Sequence, residues 1–433
     1  MTKKSEPRTL KGFYDYFAED MLIRNFIKDT FRKIAEKYSF EALETPTLEY
    51  SELILGQSGK EAEKLYYRFK DNGGRDVMLK YELMTSMCRA VGQNINNIEM
   101  PYKRYQIQNV WRAENVQKGR LREFTQLDID TIGSYSSIAD AEIIQFGLEF
   151  LEELGFKKYL VRVNNRNIIQ GLLEVFGIDN NKFEDVYIAI DKVKKVGLDA
   201  VRRELIELRK IDEDNVDDLI RSFNIESVEE LEKLLSKSDI GIKGLEEVKE
   251  VLSNLRDFGV SENLIKFDIT LTRGLASYTG VVWEFEIIEG NIGSVSGGGR
   301  YDKAIGRYLG REIPATGTSF GLERLMEIIK DRNMPVPKVG GIDVLAIAMN
   351  EKCIPFTMMV TKSLRESNIN TNFYPSIERL KIALKFANRK NIQWVIIIGD
   401  EEVKSDTVVL KNMQEQSQET LTISETIKRI SNK

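Results

Sequence analysis

The sequence predicts a multidomain protein of mixed α/β class, and three observations support this prediction. At 433 residues the chain is too long for one compact core, so two or three domains are expected. Between about residues 178 and 260, highly charged helical patterns separate two β-rich regions, which indicates an inserted helical domain. Beyond residue 340, strand and helix patterns alternate, which is typical of a small α/β domain.

The composition is that of an ordinary globular protein, with 42% hydrophobic and 30% charged residues. The longest apolar runs have the length of a strand, so we expect no membrane span. The N-terminus has no apolar core and is not expected to be a signal peptide. Cys88 and Cys353 lie far apart without metal-ligand spacing, which suggests free thiols in a reducing compartment. We therefore expect the protein to be cytoplasmic.

The chain contains no histidine. Mechanisms that need a protein imidazole as base, triad member or metal ligand are therefore excluded. Any catalysis must use carboxylates, lysine, arginine, tyrosine, a bound metal or groups of the substrate. The net charge of −5 gives no general polyanion signal, but it leaves room for a local nucleic-acid patch.

The first ninety residues combine a helix, an edge segment and a hairpin. The apolar stripe of residues 17–38 predicts a core-facing helix. Pro46 suits an edge or an interface, because proline cannot donate to a strand ladder. Residues 66–69 and 77–80 flank an Asn-Gly-Gly turn and predict a hairpin, and residues 82–90 predict a helix.

A second hairpin is predicted from residue 102 to residue 132, with a polar loop that is rich in cations. Arg112, Arg120, Arg122 and Lys118 lie there beside acidic residues. Planar guanidinium groups bind phosphate in a bidentate manner, so the loop suits an anion with several oxygens. For an isolated charged hairpin, a solvated tip is the ordinary interpretation. Candidate partners elsewhere in the chain favour a binding site instead.

The remaining patterns extend the same mixed architecture. After a helix at 143–154 and a strand at 159–163 comes the charged helical block. Strands are predicted at 267–272, 281–287 and 316–320, with a glycine-rich loop at 296–302 between the last two and a helix at 322–329. A proline-containing linker at 334–337 precedes the tail, and the predicted tail elements are strands 344–348, 372–374 and 394–398 and helices 356–364 and 380–386.

Five ordered motifs carry a family resemblance. They are TPTLE at 45–49, WRAE at 111–114 with REFTQ at 122–126, LTRGLASYTG at 271–280, GGGRYD at 297–302 and GLERL at 321–325. The first, second and last are similar to the three motifs of class II aminoacyl-tRNA synthetases. The other two are similar to segments specific to the histidyl-tRNA synthetase family of class IIa, which the chain therefore resembles. The resemblance covers nearly the whole chain.

The resemblance implies a domain plan. A class II antiparallel-sheet catalytic domain would occupy residues 1–177 and 261–332, interrupted by a helical insertion at 178–260. A linker at 333–340 would lead to an α/β anticodon-binding domain at 341–433, where 13 Lys+Arg outnumber 11 Asp+Glu. The first motif would form a homodimer interface, and no membrane partner is implied.

The resemblance also implies the activity, which is ATP-dependent ligation of L-histidine to histidine tRNA through a histidyl-adenylate. The catalytic residues would be Arg112, Arg273 and Arg324, which act as fixed cations on the phosphates. Glu114 and Arg120 would bind ATP together with Arg112 and Arg324, and Mg²⁺ would bridge phosphate oxygens.

The other implied contacts are to histidine and tRNA. Glu82 and Gln126 would hold the amino-acid head group, while Asp130 and Tyr278 would face the imidazole. The full set of implied histidine-binding residues is Glu82, Leu83, Met84, Arg112, Gln126, Asp130, Arg273, Ser277 and Tyr278. Gln117 would contact the tRNA acceptor end.

The chain departs from the family pattern at several pocket positions. Met84 stands where the family usually has threonine, Ala276 and Ser277 replace the usual pair, and Asn115 stands where a basic residue is common. Two alternatives therefore accompany the enzyme: a histidine-binding regulatory paralogue of the synthetase, and a non-catalytic RNA-binding paralogue. Regulatory paralogues lack the anticodon domain and often lose the motif arginines, and this chain keeps both.

Overall fold

The computed structural model describes residues 6–55, 63–225, 227–272, 278–288, 293–337 and 341–431. The chain divides into two compact units, Met1–Val336 and Pro337–Lys433. Both units combine sheets with helices, so the predicted mixed α/β class is confirmed.

The first unit is built around an eight-stranded sheet, beside a smaller three-stranded one. The strands of this unit are, in chain order, β1 Glu41–Ala42, β2 Leu48–Tyr50, β3 Arg68–Lys70, β4 Asp76–Leu79, β5 Tyr102–Trp111, β6 Glu123–Ile132, β7 Tyr159–Asn165, β8 Ile265–Phe267, β9 Val281–Ile287, β10 Ser294–Arg300 and β11 Ala315–Gly321. The order in the large sheet is β1-β5-β6-β11-β10-β9-β7-β8, and the order in the small sheet is β2-β4-β3. In the large sheet β1 runs parallel to β5 and β7 runs parallel to β8, and the other neighbouring strands are antiparallel.

Helices connect these strands and cover one face of the large sheet. They are, in chain order, α1 Ala18–Lys37, α2 Ser51–Ile54, α3 Leu83–Asn94, α4 Ser137–Glu153, α5 Arg166–Val175, α6 Phe183–Ile190, α7 Val193–Val196, α8 Leu198–Arg203, α9 Glu213–Ser222, α10 Val228–Leu235, α11 Asp239–Asp257, α12 Gly306–Leu309 and α13 Leu322–Asp331. Several begin at side-chain caps; for example, Ser136 Oγ accepts the N–H of Ile138 at the start of α4.

Alternation along the strands decides which face of the large sheet is core. Leu127 and Ile129 of β6 join Phe320 of β11 and Trp283 of β9 in a buried apolar cluster. Helices α1, α4, α11 and α13 contribute the other side of this cluster. The intervening residues of the same strands therefore point to the opposite face, which is available for a site.

The helices from α5 to α11 have a second apolar core of their own, centred on buried residues such as Leu172 and Leu219. Helix α11 belongs to both cores, because Leu245 and Val248 lie in this second core while Val251 and Leu255 lie in the core beneath the large sheet. Helix α11 thus joins the helical segment to the large sheet.

The second unit is a five-stranded sheet with helices on both faces. In chain order its strands are β12 Val344–Ala348, β13 Thr371–Phe373, β14 Trp394–Ile398, β15 Thr407–Asn412 and β16 Gln418–Thr422, and its helices are α14 Ile354–Glu366, α15 Leu380–Arg389, α16 Asp400–Ser405 and α17 Ile423–Ser431. Apolar clusters lie on either side of β12, with Val344 in one and Leu345 in the other. Strands buried on both faces explain the continuous apolar runs in this part of the sequence.

No helix in the described ranges is long and apolar enough to cross a membrane.

Candidate active site

The face of the large sheet opposite the core is polar where β5, β6 and β11 meet. The strand register aligns the side chains of this face in three rows across those strands. The rows consist of Arg104, Asp130 and Gly317; of Gln106, Asp128 and Ser319; and of Gln108, Gln126 and Gly321. Most of the polar residues are buried, so this face is a polar floor inside the unit rather than solvated surface.

Two glycines make room for side chains on this floor. A Cβ on Gly317 would collide with the Asp130 carboxylate, and a Cβ on Gly299 would lie 2.8 Å from the Tyr278 ring. The run Gly297 to Gly299 was predicted as a loop, but it lies within strand β10. The prediction was wrong because glycine has no side chain, so a run of glycines shows no alternation of apolar and polar residues that would predict a strand. The close approach expected of these glycines is realised inside the sheet.

Arg112 is held at the end of β5 by contacts that fix its guanidinium group. Its Nε donates to the carbonyl of Tyr81 at 3.0 Å. The guanidinium carbon lies 4.3 Å from the centroid of the Tyr81 ring and 5.1 Å from that of Phe124. Stacking on two aromatic rings orients a planar cation at little entropic cost. Arg112 is therefore a fixed positive charge at one end of the polar floor.

The loop after Arg112 closes in a tight turn. The backbones of Gln117 and Arg120 exchange hydrogen bonds of 3.0 and 2.9 Å around Lys118 and Gly119. The Arg120 guanidinium forms an ion pair with Glu114. Gln117 is exposed, so its side chain is accessible to a macromolecular ligand. The predicted ATP residues Glu114 and Arg120 are thus in direct contact.

Arg324 lies in the first turn of α13 beside Gly321, whose strand position pairs with Gln126. Its neighbour Glu323 is buried and accepts hydrogen bonds from Arg24 Nη1 at 2.6 Å and from the Thr125 N–H at 2.9 Å. Burial raises the pKa of Glu323, and Arg24 opposes that shift. This buried pair fastens α1, α13 and β6 together and so sets the position of Arg324.

Glu82 is the N-cap of α3, where its Oε1 accepts the backbone N–H of Thr85 at 2.8 Å. Of the two residues that follow it, Leu83 is fully buried and Met84 packs against an apolar cluster that contains Met87. The N-cap hydrogen bond thus holds the Glu82 carboxylate in place at the start of α3.

The other predicted histidine contacts lie on the polar floor. Asp130 is buried, forms an ion pair of 2.5 Å with Arg104 and accepts the hydroxyl of Tyr301. Burial raises its pKa, against the effect of Arg104. Gln126 donates from Nε2 to Ser319 Oγ at 2.7 Å. Tyr278 is buried beside Gly299, which links it to the same row as Asp130.

Arg273, Ala276 and Ser277 lie outside the described residues. Sequence reasoning also missed several residues of this floor. Asp128 and the fully buried Arg104 were not assigned to the site, although both occupy its rows. Burial raises the pKa of Asp128 to about 7, and Arg104 opposes the shift. The spacing of Gln126, Asp128 and Asp130 at every second residue was the available signal.

The site is a polar sheet face with arginines at its ends, and the chain also has a separate α/β unit. This arrangement fits an enzyme that activates a carboxylate by joining it to a nucleotide. Residues 12–325 match the family model described as histidyl-tRNA synthetase, and residues 343–433 match the model described as an anticodon binding domain. This combination defines a class II aminoacyl-tRNA synthetase. More particularly, the chain belongs to the histidyl-tRNA synthetase family, which confirms the resemblance found in the sequence.

Individual proteins support the assignment over nearly the full length. The chain is 37% identical over 443 aligned residues to the histidine–tRNA ligase of Clostridium tetani, covering 99% of this chain and 98% of that protein. It is 35% identical over 416 residues to the histidine–tRNA ligase of Helicobacter acinonychis, with 94% of each covered. The crystal structure of histidyl-tRNA synthetase from Nostoc sp. PCC 7120 matches with a TM-score of 0.86 and 25% identity, covering 99% of both chains.

Proposed function

We propose that this chain ligates L-histidine to histidine tRNA, with ATP as the second substrate and a histidyl-adenylate as the intermediate. Family membership and full-length similarity to histidine–tRNA ligases support this function over the regulatory and RNA-binding alternatives. The observation that carries it is the Arg112 guanidinium, held by Tyr81 and Phe124 at the end of a buried polar floor. A fixed cation beside a water-poor polar pocket is what adenylate formation requires.

Adenylate formation joins the histidine carboxylate to the α-phosphate and releases pyrophosphate. In our proposal Arg112 and Arg273 stabilise the charge that develops on the α-phosphate, and Arg324 holds the γ-phosphate. Glu114 and Arg120 would lie at the adenine end. Mg²⁺ would accompany ATP and neutralise part of the charge on its phosphates.

Histidine recognition would depend on polar contacts across the floor. Glu82 and Gln126 would bind the head group, and Asp130 and Tyr278 would bind the imidazole. A site built to hydrogen-bond a substrate rejects analogues that leave its buried polar groups unpaired. Arg104 supports this role, because its ion pair with Asp130 favours the carboxylate form as an acceptor for the ring N–H.

Leu83, Met84 and Ser277 complete the proposed histidine pocket. Leu83 and Met84 follow Glu82 in the first turn of α3, where Leu83 is buried and Met84 packs against an apolar cluster.

The tRNA would be contacted at both ends. The exposed turn that carries Gln117 would meet the acceptor end, and residues 341–433 would bind the anticodon. In the proposed domain plan, residues 1–177 and 261–332 are catalytic, residues 178–260 are the insertion, and residues 333–340 are the linker.

We also propose a cytoplasmic homodimer. Leu48 of the first motif and Tyr50 just after that motif, both on β2, are 43% and 50% exposed, and Phe69 of the same small sheet is 45% exposed. An exposed apolar patch of this kind marks a protein–protein contact.

The test is histidine-dependent exchange of pyrophosphate into ATP with the purified full-length chain. We expect exchange with histidine and no exchange with other amino acids. Arg112→Met should lower kcat about 10²- to 10³-fold, as removal of a preorganised transition-state donor does. Arg32→Met, at an exposed pair with Asp29, is the matched control and should stay within about twofold of wild type.

Failure of the wild-type protein to exchange pyrophosphate would overturn the enzyme function in favour of one of the paralogues. Exchange without charging of histidine tRNA would instead overturn the roles given to Gln117 and to residues 341–433.

A further inference from the structure

Asp128 is a buried carboxylate on the polar floor that has no assigned role. It lies on β6 between Gln126 and Asp130, about 6.8 Å from each along the strand, since a strand rises about 3.4 Å per residue. Its exposed fraction is 5%, and the register sets it between Gln106 and Ser319. If Gln126 binds the head group and Asp130 the imidazole, Asp128 lies beneath the atoms that join them.

On the floor side of β6, two acceptor atoms lack both a hydrogen-bond partner and an ion-pair partner within the described part of the chain. They are Gln126 Oε1 and Asp128 Oδ1, and both are buried. Gln126 uses its amide nitrogen on Ser319, so its oxygen remains for a ligand. Buried acceptors are rarely left unpaired in proteins. Two such acceptors two residues apart on one face therefore indicate a ligand group with several N–H donors.

The charges on the floor favour a cationic ligand group. The carboxylates of Glu82, Asp128 and Asp130 interact electrostatically with one another, and the cations that oppose them are Arg104 and the buried Lys80, which interacts with Asp128. Arg104 is already ion-paired with Asp130. Lys80 alone then faces the carboxylates of Asp128 and Glu82, so the pocket keeps surplus negative charge. An ammonium group supplies both the positive charge and three N–H donors.

Met84 explains why this chain needs an additional acceptor. The family pattern has a threonine hydroxyl at this position, two residues after the head-group carboxylate. Met84 instead packs its thioether against the apolar cluster around Met87, and a thioether is only a weak acceptor. The next residue, Thr85, is buried, with its N–H bonded to Glu82. The hydroxyl that the family pattern has at position 84 is thus absent from this chain.

We propose that Asp128 accepts a hydrogen bond from the α-ammonium group of the histidine substrate and replaces the acceptor that is missing at Met84. This inference rests on the proposed function, because it uses the head-group roles of Glu82 and Gln126. It makes Asp128 a specificity-determining residue that recognises free amino acids by their charged amino group. Deamino analogues would leave Oδ1 of this carboxylate unpaired, while the hydrogen bond between the carboxylate and Ser319 would remain.

The test compares Asp128→Asn with wild type in binding three ligands. L-histidine and histamine carry the ammonium group, whereas imidazolepropionate lacks it but keeps the ring. A hydrogen bond to a charged group is worth about a 10- to 100-fold change in affinity. We therefore expect Asp128→Asn to weaken histidine and histamine by that factor. Imidazolepropionate and the KM for ATP should change less than about twofold.

Met84→Thr supplies the second variant. In the Asp128→Asn background it should recover about fivefold or more of the lost histidine affinity, because it restores an acceptor. Met84→Thr alone should bind histidine at least as tightly as wild type.

Equal weakening of all three ligands by Asp128→Asn would overturn the inference, since it would indicate a contact to the ring or a general effect on the fold. Unchanged binding of all three would overturn it as well. Absence of histidine binding by the wild-type protein is a different result, because it would refute the proposed function before Asp128 is tested.

Discussion

The stacking of Tyr81 on Arg112 can be tested without touching either of the hydrogen bonds that orient Arg112. The Tyr81 carbonyl accepts from Arg112 Nε, and the Arg112 N–H bonds to the carbonyl of Arg122. Neither bond depends on the Tyr81 side chain. Tyr81→Leu therefore removes only the aromatic ring, and Tyr81→Phe keeps the ring while removing the hydroxyl.

The expected cost follows from the geometry. The guanidinium carbon lies 4.3 Å from the Tyr81 centroid, well inside the distance of about 6 Å at which cation–π contacts act. The ring is buried, so the contact is at the desolvated end of its range, about 1–2 kcal/mol. At 1.4 kcal/mol per factor of ten, Tyr81→Leu should lower kcat for pyrophosphate exchange about 5- to 30-fold. Phe124 keeps its own contact at 5.1 Å, which limits the loss.

The assay is histidine-dependent pyrophosphate exchange at saturating histidine and ATP, with Tyr81→Phe as the matched control. We expect Tyr81→Phe to stay within about twofold of wild type. Equal kcat values for Tyr81→Leu and Tyr81→Phe would refute the idea that the ring positions Arg112. A fall in thermal stability without a change in kcat would give Tyr81 a packing role only.

Two further predictions concern buried charges. Arg24→Met should destabilise the first unit by about 3–5 kcal/mol in urea unfolding, because it leaves the Glu323 carboxylate buried without its partner. The double variant Arg24→Met/Glu323→Met should lose less, and a double variant as unstable as the single one would contradict this explanation. Since the pKa of Asp128 is raised to about 7, its ionised fraction grows from about a tenth at pH 6 to about nine-tenths at pH 8. The ratio of the histamine affinity of wild type to that of Asp128→Asn should therefore rise several-fold from pH 6 to pH 8. A ratio that does not change with pH would show that ionisation of Asp128 does not control binding. The charged groups that face this carboxylate are Arg104 on β5, Asp130 on β6, Glu82 at the start of α3 and Lys80 just after β4, whose own pKa burial lowers to about 8.

Much of the site could be predicted from local sequence. The cationic loop between two strands, the motif arginines and the acidic residue before α3 are all visible as residue types at fixed spacing. The predicted hairpin is observed as β5 and β6, and its loop holds Glu114 against Arg120. Periodicity also predicted α1 and most of the elements of the C-terminal unit.

The missing parts depend on contacts between distant segments. In the sequence, Asp128 is not distinguishable from other polar residues that alternate along a strand. Its burial follows only from the pairing of β6 with both β5 and β11. The pairing of Arg24 with Glu323 joins residues 299 positions apart. Strand β16 was not predicted, because its residues alternate between exposed and half-buried positions and so form no apolar face. Such features require the tertiary arrangement.

The two glycines on the polar floor have a consequence for how this pocket can evolve. Gly317 and Gly299 leave space that the Asp130 carboxylate and the Tyr278 ring occupy. The depth of the pocket at these positions is therefore set by the main chain, because glycine has no side chain that a substitution could make smaller. Substitution there can only fill the pocket, so a variant that accepts a bulkier amino acid must gain its space at the rim. Selection for altered substrates should accordingly leave both glycines unchanged and accumulate at positions such as Met84.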